Sequence, residues 1–584
     1  MYNLIILIIL FNLNLFNSIN FEDNNSIESS EEENYLNKLE NINWIKLNNK
    51  NLNNNNYYKP FEKLQNLNEP WPKEFFNKNI TICANINFPN KLYKIDGNKC
   101  EINQKIVANG NYRNGQNETG WGILEIETFN DFSEEIQSYA AGLIEGLLTK
   151  NQINLHYLNT VEQLCFNSSV GYCERLHNYI KNNLNWIKLQ VNLLAKKDIY
   201  WHNVNLTFTQ LTGINDGYKN NYYGEEEYYY IPHVSFKNSS VLLIQMSGDF
   251  FDLEHVFKKS ENLEYEPSHC SGFIKITEGN KDLLMSHVSM SGYNTMNRIL
   301  KLYKFAFDKK QSPGNIVSFS GYPAALSSAD DYTLTSAGIL SMETTIAVFN
   351  EPLYNKVKSK GQLHCWLRSY IANRLSVTAR DWVRIFGRYN SGTYNNQWTV
   401  LDYKLFKPGQ ELPKNDLIWI LEQIPGLVVS RDITWFINRY GYWPSYNIPF
   451  LSKISELSGF NEKGLLNNWW RWGYTPRAKI FHRDHNKASI STRGDLNPKN
   501  GKYEVSGMGF RNHGSIDYKG TNFELFKQLR FEVIGGPTYG GPGNLPYFSW
   551  SNTKINTTHY GQPINWNFTE FTTMWTINIT NLIN

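Results

Sequence analysis

Several features that would assign a protein quickly are missing from this sequence of 584 residues. After the first residues, no stretch reaches the roughly 18 apolar residues that a membrane-spanning helix needs, so we expect a soluble mature protein. No run of basic residues appears and the net charge is only +3, which argues against nucleic acid as a partner. Neither a Gly-x-Ser-x-Gly elbow nor a His-Glu-x-x-His helix is present, so the usual serine-lipase and zinc-hydrolase motifs are absent and no metal or other cofactor is expected.

Aromatic residues are abundant in this chain. They make up 15% of the sequence and include 17 Trp and 36 Tyr, a composition typical of a densely packed globular protein rather than a disordered one. The length predicts one large composite domain or two closely packed lobes, with enough core to bury an active site.

The amino terminus has the pattern of an export signal. An apolar run from Leu4 to Phe11 is followed by the small and polar residues Ser18 and Asn20, so residues 1–20 are predicted to be a cleaved signal peptide. Because no Lys or Arg precedes the apolar run, an uncleaved anchor remains an alternative. Residues 21–56 are acidic and rich in Asn, and we interpret them as a poorly ordered leader.

Sequons and cysteines are consistent with export. In an oxidising compartment, Cys165 with Cys173 and Cys83 with Cys100 are candidate disulfides, whereas Cys365 lies in a helical pattern typical of a buried thiol. Candidate N-glycan acceptors lie at Asn79, Asn117, Asn167, Asn205, Asn238, Asn556, Asn567 and Asn578, although an Asn-rich chain produces some of these triplets by chance.

Strand and helix patterns arrive in blocks, which predicts an α+β fold. GWGILEIET is predicted to be a strand that leads into a helix capped by Asp131 and Glu134. VLLIQMSGDFFDLEHVF is predicted to be a strand and turn, and NTMNRILKLYKFAF a helix. Further strands are predicted in CSGFIKITEG, KDLLMSH, GNIVSFSGYPA, TLTSAGILSMETTIAVF and NNQWTVLDYKLF, with helix in RSYIANRLSVTARDWVRIF.

Cys270 stands at the start of a predicted strand, directly after the polar linker KKSENLEYEPSH. This arrangement suits an N-terminal nucleophile, because the thiol can attack the carbonyl of His269 and release a new α-amine beside itself. That amine, with a pKa of about 8, can then act as the base for the thiol. The alternative is an ordinary structural cysteine.

A resemblance favours the nucleophile. HCSGFIKI, followed by DLLMSH and YNTMNRILKLYK, resembles the processing and nucleophile segment of the phospholipase B-like family. The resemblance extends from about residue 70 to 566. Its other segments are GWGILEIET, SYAAGLIEGLLT, SFSGYPAALSSADDY, SAGILSMETT, YNSGTYNNQWTVLDYK, LEQIPGLVV, YWPSYNIPF, TPRAKIFHRD, RGDLNP and HGSIDYK.

The resemblance implies a fold and a set of site residues. The fold would be the αββα sandwich of N-terminal nucleophile hydrolases, assembled from an N-terminal fragment (residues 57–269) and a C-terminal fragment (270–584). Cys270 would be the nucleophile and His269–Cys270 the scissile bond, with His287, Asn447 and Arg477 completing the site. Asn447 would donate to an oxyanion, and Arg477 would orient a carboxylate or phosphate and lower the thiol pKa.

One segment departs from the family pattern. Where the family has His-Asn-Thr-Trp, this chain has His287-Val288-Ser289-Met290. Ser289 keeps a hydroxyl, but Met290 replaces a large flat ring with a flexible thioether. We expect this change to reshape the pocket and with it the choice of substrate.

These observations lead to one principal function and two alternatives. The principal hypothesis is a secreted or lysosomal hydrolase that removes fatty acyl groups from glycerophospholipids, with transient contact to a membrane surface. An amidase acting on N-acyl amides or peptides is the first alternative, since N-terminal nucleophile hydrolases most often cut amide bonds. A non-catalytic lumenal binding protein is the second. The oligomeric state is not predicted.

Overall fold

The strands of this protein belong mainly to two sheets. The computed structural model describes residues 77–97, 99–219, 228–230, 234–260, 270–327, 332–487, 513–540 and 546–579. The predicted signal peptide (1–20), the leader (21–56) and His269 with most of its linker lie outside the described residues, and the division into fragments at Cys270 stays a prediction.

The larger sheet contains twelve strands of the described residues, in the order β15-β14-β13-β12-β11-β10-β9-β4-β3-β1-β2-β5, numbered along the chain. Neighbouring strands are antiparallel except for β4 and β9, which are parallel. The strands are β1 Asn77–Asn85, β2 Phe88–Ile95, β3 Gln104–Gly115, β4 Trp121–Thr128, β5 Tyr228–Tyr230, β9 Arg298–Lys304, β10 Ile316–Gly321, β11 Tyr332–Thr335, β12 Ile339–Thr345, β13 Asn396–Asp402, β14 Ile418–Ile424 and β15 Leu427–Asp432.

The smaller sheet contains six strands of the described residues, in the order β16-β6-β7-β18-β19-β22. These are β6 Ser271–Ile276, β7 Leu283–Val288, β16 Tyr442–Ser445, β18 Asp517–Thr521, β19 Glu532–Gly535 and β22 Phe571–Thr572. Two short ribbons pair β8 Met290–Gly292 with β17 His513–Ser515 and β20 Phe548–Ser549 with β21 Asn565–Trp566. Cys270 therefore directly precedes a central strand of this sheet.

Helices pack against the large sheet and against each other. They are α1 Gln116–Thr119, α2 Glu134–Leu148, α3 Lys150–Thr160, α4 Tyr172–Leu194, α5 Ile199–Lys219, α6 Ser240–Gln245, α7 Asp249–Val256, α8 Cys365–Leu375, α9 Ala379–Gly387, α10 Thr434–Tyr440, α11 Ser452–Leu457, α12 Phe460–Leu466, α13 Pro476–Asp484 and α14 Phe523–Phe526. Gly142 of α2 lets α5 approach closely, because a Cβ there would lie 2.0 Å from the Gln210 carbonyl oxygen.

The two sheets face each other at the start of β6. A Cβ added at Gly272 would lie 2.8 Å from Cε of Met342 in β12, so this face of the small sheet contacts the large sheet. Phe273 points to the opposite face, where its ring stacks on Phe481 of α13 at 5.2 Å. The structure is thus of mixed α+β class, as predicted.

Three sequence predictions about secondary structure were wrong in whole or part. VLLIQMSGDFFDLEHVF forms helices α6 and α7, because the Ser239 hydroxyl caps α6 by accepting from Leu242 N at 3.2 Å. Helix α2 begins two residues later than the Asp131 cap implied, and Ser133 accepts from Ile136 N instead.

The third error concerns NTMNRILKLYKFAF, which contains strand β9 rather than a helix. Its basic residues Arg298 and Lys301 have the spacing of a polar helix face, yet both are buried. Arg298 pairs with Asp517 at 2.8 Å and Lys301 with Glu145 at 2.6 Å. Partners that are distant in sequence therefore override the local pattern.

The cysteine predictions agree with the structure. Cys83–Cys100 and Cys165–Cys173 form disulfides, and Cys270 and Cys365 are buried free thiols. All the candidate glycan acceptors have exposed side chains except Asn205, which is half-buried in α5. In the part of the chain that the structure describes, no helix combines the length and apolarity needed to cross a bilayer.

Candidate active site

Cys270 is held on both sides of its own backbone. Its N–H donates to Oδ1 of Asn447 at 3.1 Å, and its carbonyl oxygen accepts from Nη1 of Arg477. The side chain is 5% exposed. Two of the predicted site residues therefore contact the predicted nucleophile, although they lie 177 and 207 positions away in sequence.

Asn447 follows β16 and has a left-handed backbone, with φ of 66°. Asn tolerates this conformation better than most residues. Its Nδ2 donates to the Thr345 carbonyl at 2.8 Å, and its backbone N donates to the Thr344 hydroxyl at 3.3 Å. Because Nδ2 must donate to the Thr345 carbonyl, Oδ1 is the end of the side-chain amide that accepts from the Cys270 N–H. The geometry suits a residue that holds the nucleophile's nitrogen, while the predicted oxyanion role stays a prediction.

Arg477 lies in the first turn of α13, a helix that begins with Pro476 and is capped by the Thr475 hydroxyl. Besides the Cys270 carbonyl, Nη1 contacts Oγ of Ser271 at 3.3 Å. Burial lowers the pKa of the guanidinium to about 10, while negative charge on Cys270 or Tyr446 acts in the opposite direction. Arg477 is therefore still a cation at neutral and acidic pH, while its predicted effect on the thiol stays a prediction.

His287 lies on the neighbouring strand β7, opposite Gly272. Because paired residues share a face of a sheet, His287 faces the large sheet, as Gly272 does. The His287 Nε2 lies 2.8 Å from the Glu343 carbonyl oxygen. A carbonyl can only accept, so Nε2 carries the hydrogen and Nδ1 is the acceptor of the neutral ring.

The segment that departs from the family pattern lies beside His287. Val288 is buried on the outer face with Tyr518 and Ile534, whereas Met290 is half-buried in β8. The Ser289 hydroxyl lies 3.3 Å from Oδ2 of Asp517, and its backbone N donates to Oδ1 at 2.8 Å. Ser289 thus has a structural hydrogen-bond role, and Met290 is the more accessible of the changed positions.

Two neighbouring residues were not predicted from sequence. Thr344 and Thr345 of β12 position Asn447, and Thr344 also bonds the Ser445 hydroxyl at 2.7 Å. The only sequence signal for them was their place in SAGILSMETT, one of the segments that carries the resemblance. A hydroxyl-rich strand end has no distinctive motif of its own.

A cluster of metal-binding residue types lies elsewhere. Among the described residues, Cys165, Cys173 and His177 are the group of such side chains whose ligand atoms lie close together. Their two sulfurs form a disulfide, so they are not available as thiolate ligands in this state.

Comparison with known proteins identifies the family. The phospholipase B family model matches residues 108–489 and 486–574. The chain is 46% identical to a phospholipase B-like 3 protein of Caenorhabditis elegans, over 88% of this chain and 93% of that protein. It is 35% identical to the human phospholipase B-like 2 protein, over 83% and 88%. This chain belongs to the phospholipase B family.

The match to this family includes the whole candidate site. Cys270, His287, Asn447 and Arg477 all lie within the first matched range. The names of the nematode and human relatives assign their activity only provisionally. Family membership therefore suggests a hydrolase.

Proposed function

We propose that this protein is a hydrolase that releases fatty acyl groups from glycerophospholipids and uses Cys270 as an N-terminal nucleophile. The observation that carries the proposal is the pair of contacts on the Cys270 backbone, with Asn447 on the nitrogen and Arg477 on the carbonyl. An ordinary buried thiol needs neither contact. A nucleophile whose nitrogen becomes an α-amine needs that nitrogen to be fixed beside the sulfur.

Maturation begins with an attack of the Cys270 thiolate on the carbonyl carbon of His269. The C–N bond breaks as the acyl group moves to sulfur, and the nitrogen takes up a proton to become an amine. Water then hydrolyses the thioester, which leaves a carboxylate on His269 and a free thiol on Cys270. Asn447 Oδ1 already accepts a hydrogen from this nitrogen, so it is placed to hold the new amine.

Turnover repeats the same chemistry on a substrate. The α-amine takes the thiol proton, the thiolate attacks the ester carbonyl, and the alcohol leaves with that proton to give an acyl-enzyme thioester. Water then releases the fatty acid and restores the thiol. The Arg477 cation stabilises the thiolate and can also orient a lipid phosphate.

The packing of the sheets supports the sandwich architecture of N-terminal nucleophile hydrolases. Gly272 faces Met342 of the large sheet, whereas Phe273 stacks on helix α13. Helix α2 packs against strands β1, β3 and β4 of the large sheet. These contacts favour the layer order helix, large sheet, small sheet, helix that the proposed fold requires.

We also propose that the protein acts outside the cytosol, in the secretory route or the lysosomal lumen. Two disulfides fit an oxidising compartment, and the exposed sequons are accessible to glycosylation. The test is expression with and without residues 1–20, followed by glycosidase treatment and mass measurement. A glycosylated protein that loses this segment supports export; an unglycosylated protein that retains it in the cytosol contradicts export.

The decisive experiment for the nucleophile is intact mass and N-terminal sequencing after acidification. Wild type should yield a fragment that begins at Cys270, and Cys270→Ala should stay intact. Cys365→Ala is the matched control, because Cys365 is the other buried free thiol of the described residues. This variant should be cut like wild type. A wild-type chain that stays whole under all conditions would contradict the mechanism and favour the binding-protein alternative.

Substrate class is tested on the cut protein. Release of fatty acid from a glycerophospholipid, lost in Cys270→Ala, supports the esterase. Cleavage of N-acyl amides without ester hydrolysis would replace it with the amidase alternative, which uses the same thiolate and amine.

A further inference from the structure

An exposed apolar loop lies between two residues of the candidate site. Leu465 and Leu466, at the end of helix α12, are 89% and 86% exposed. The half-buried Trp469 and Trp470 follow them. In sequence, this loop (residues 463–471) connects Asn447 to Arg477, the two residues that contact Cys270.

The loop has a defined conformation. The Asn467 backbone N donates to the Lys463 carbonyl at 3.0 Å, and its side-chain oxygen accepts from Trp469 N at 2.9 Å. Trp470 packs edge-on against Phe349 at 5.2 Å. An ordered turn therefore exposes the two leucines to solvent. Exposure of these apolar side chains to water is unfavourable compared with burial.

The loop is also tied to the site. Tyr446, the neighbour of Asn447, accepts from the backbone N of Gly473 at 2.9 Å, and its ring stacks with Trp472 at 6.1 Å. Helix α13 with Arg477 begins three residues after Gly473. The C-terminal end of the loop is thereby connected to the neighbours of the two residues that contact Cys270.

The charges around the leucines indicate the kind of surface that the loop would bind. Between residues 460 and 480 the sequence has four basic residues and one acidic residue, Glu462. The exposed residues Lys463 and Arg471 flank the leucines. Apolar side chains with neighbouring Trp and basic residues are what an anionic lipid interface binds.

We propose that the 463–471 loop docks this protein on an anionic phospholipid surface, with Leu465 and Leu466 inserted among the acyl chains and Lys463 and Arg471 at the headgroups. This inference rests on the proposed function, because a bound phospholipid surface would supply the proposed lipid hydrolase with its substrate. A protein partner for the same loop would be a different finding and is an outcome of the test.

The test measures co-sedimentation of the full-length purified protein with vesicles of phosphatidylcholine, with and without phosphatidylglycerol. Wild type should bind the anionic vesicles more strongly, and less so at high salt. Leu465→Ser/Leu466→Ser should lower the partition coefficient about tenfold or more, because two leucines no longer enter the apolar layer. Lys463→Gln should weaken binding only to the anionic vesicles.

The matched control is Ile86→Ser/Phe88→Ser, an apolar pair at 52% and 71% exposure in the β1–β2 region. This variant should bind like wild type. Equal binding by wild type and the leucine variant, or no vesicle binding by wild type, would overturn the proposal and direct attention to a protein partner.

Two further readouts separate this proposal from the proposed function. Hydrolysis of a short-chain, water-soluble acyl ester should be unchanged in the leucine variant, whereas vesicle hydrolysis should fall with binding. Cys270→Ala should bind vesicles like wild type while hydrolysing nothing. If vesicle binding depends on the leucines but no acyl group is hydrolysed, the docking loop is supported and the hydrolase is rejected. If the soluble ester is hydrolysed but vesicle binding does not depend on the leucines, the hydrolase is supported and the docking loop is rejected.

Discussion

Two arginines of this protein show how burial separates a structural charge from a functional one. Arg298 is buried and pairs with Asp517 at 2.8 Å, and it also lies over the rings of Trp121 and Tyr322. Arg477 is half-buried, and its described hydrogen bonds go to the carbonyl of Cys270 and the hydroxyl of Ser271. The charge of Arg298 is neutralised within the fold, whereas that of Arg477 is directed at Cys270, the proposed nucleophile.

The cluster around Asp517 explains the difference. Asp517 accepts from Arg298, from Lys519 at 2.8 Å and from the Ser289 backbone. It thereby links the large sheet to strands β7 and β18 of the small sheet. A buried pair of this kind is expensive to break, because each partner left behind is an uncompensated charge.

The largest expected effect is therefore on stability, from Asp517→Ala. Removing this carboxylate leaves Arg298 and Lys519 buried together, and we expect a loss of about 3–5 kcal/mol in the free energy of unfolding. Chemical denaturation of the intact chain measures it. Asp517→Asn, which keeps an oxygen for the Ser289 N–H, should lose less. If Asp517→Ala leaves the denaturation midpoint unchanged, the ion pair of Arg298 does not stabilise the fold, and the contrast with Arg477 fails.

The second prediction concerns Arg477→Gln. We expect the rate of fragment release at Cys270 to fall about 100-fold, because the thiolate loses its cation, while the free energy of unfolding changes by only about 1 kcal/mol. Timed mass measurement after acidification gives the rate. Lys479→Gln on the same helix is the control, because Lys479 is exposed. This variant should release the fragment at the wild-type rate. A rate unaffected by the Arg477 change would make this arginine structural.

The third prediction separates the backbone of Asn447 from its side chain. Both Asn447→Gly and Asn447→Ala lose the contact with Cys270 N and should slow fragment release similarly. Only Ala also strains the left-handed φ of 66°, so we expect it to be less stable than Gly by about 1 kcal/mol. Parallel denaturation and processing measurements decide this; processing at the wild-type rate in both variants would exclude the amine-holding role.

The parts of this site that sequence reasoning found differ in the reason for success. Strands β6 and β7 are short apolar runs bounded by polar turns, so the local pattern was enough to predict them. Asn447 and Arg477 came only from the resemblance, because their contacts with Cys270 span 177 and 207 positions and leave no periodic signal. Thr345, which fixes the Asn447 amide, had no local signal either.

The failed predictions have different physical causes. The segment of strand β9 was predicted as helix, and the carboxylate partners that let its Arg298 and Lys301 be buried in a strand lie 219 and 156 positions away. Helix α6 was predicted as strand because its apolar run lacks clear periodicity, although Ser239 before it was a usable capping signal. Local patterns predict elements, but buried ion pairs decide which element a charged segment adopts.

The smallest expected effect belongs to an ion pair nearer the surface, His202 with Glu134 at 2.8 Å. The hydrogen bond to Glu134 raises the pKa of His202. Burial would raise the pKa of Glu134, but the hydrogen bonds from His202 and from the Asp308 backbone, together with the charges of His202 and Arg374, outweigh burial and lower it. The histidine contribution is complete below its unfolded pKa of about 6.5 and is lost as pH rises through the folded value. The glutamate contribution is complete above about 4.5 and is lost as pH falls through the folded value. The pair should therefore stabilise most between these two values, by about 0.5–1 kcal/mol.

Denaturation of wild type and His202→Asn at about pH 5.5 and pH 9 should show a difference in stability only at the lower pH, since His202 is neutral at the higher one. An equal difference at both pH values would mean that packing rather than charge joins these residues.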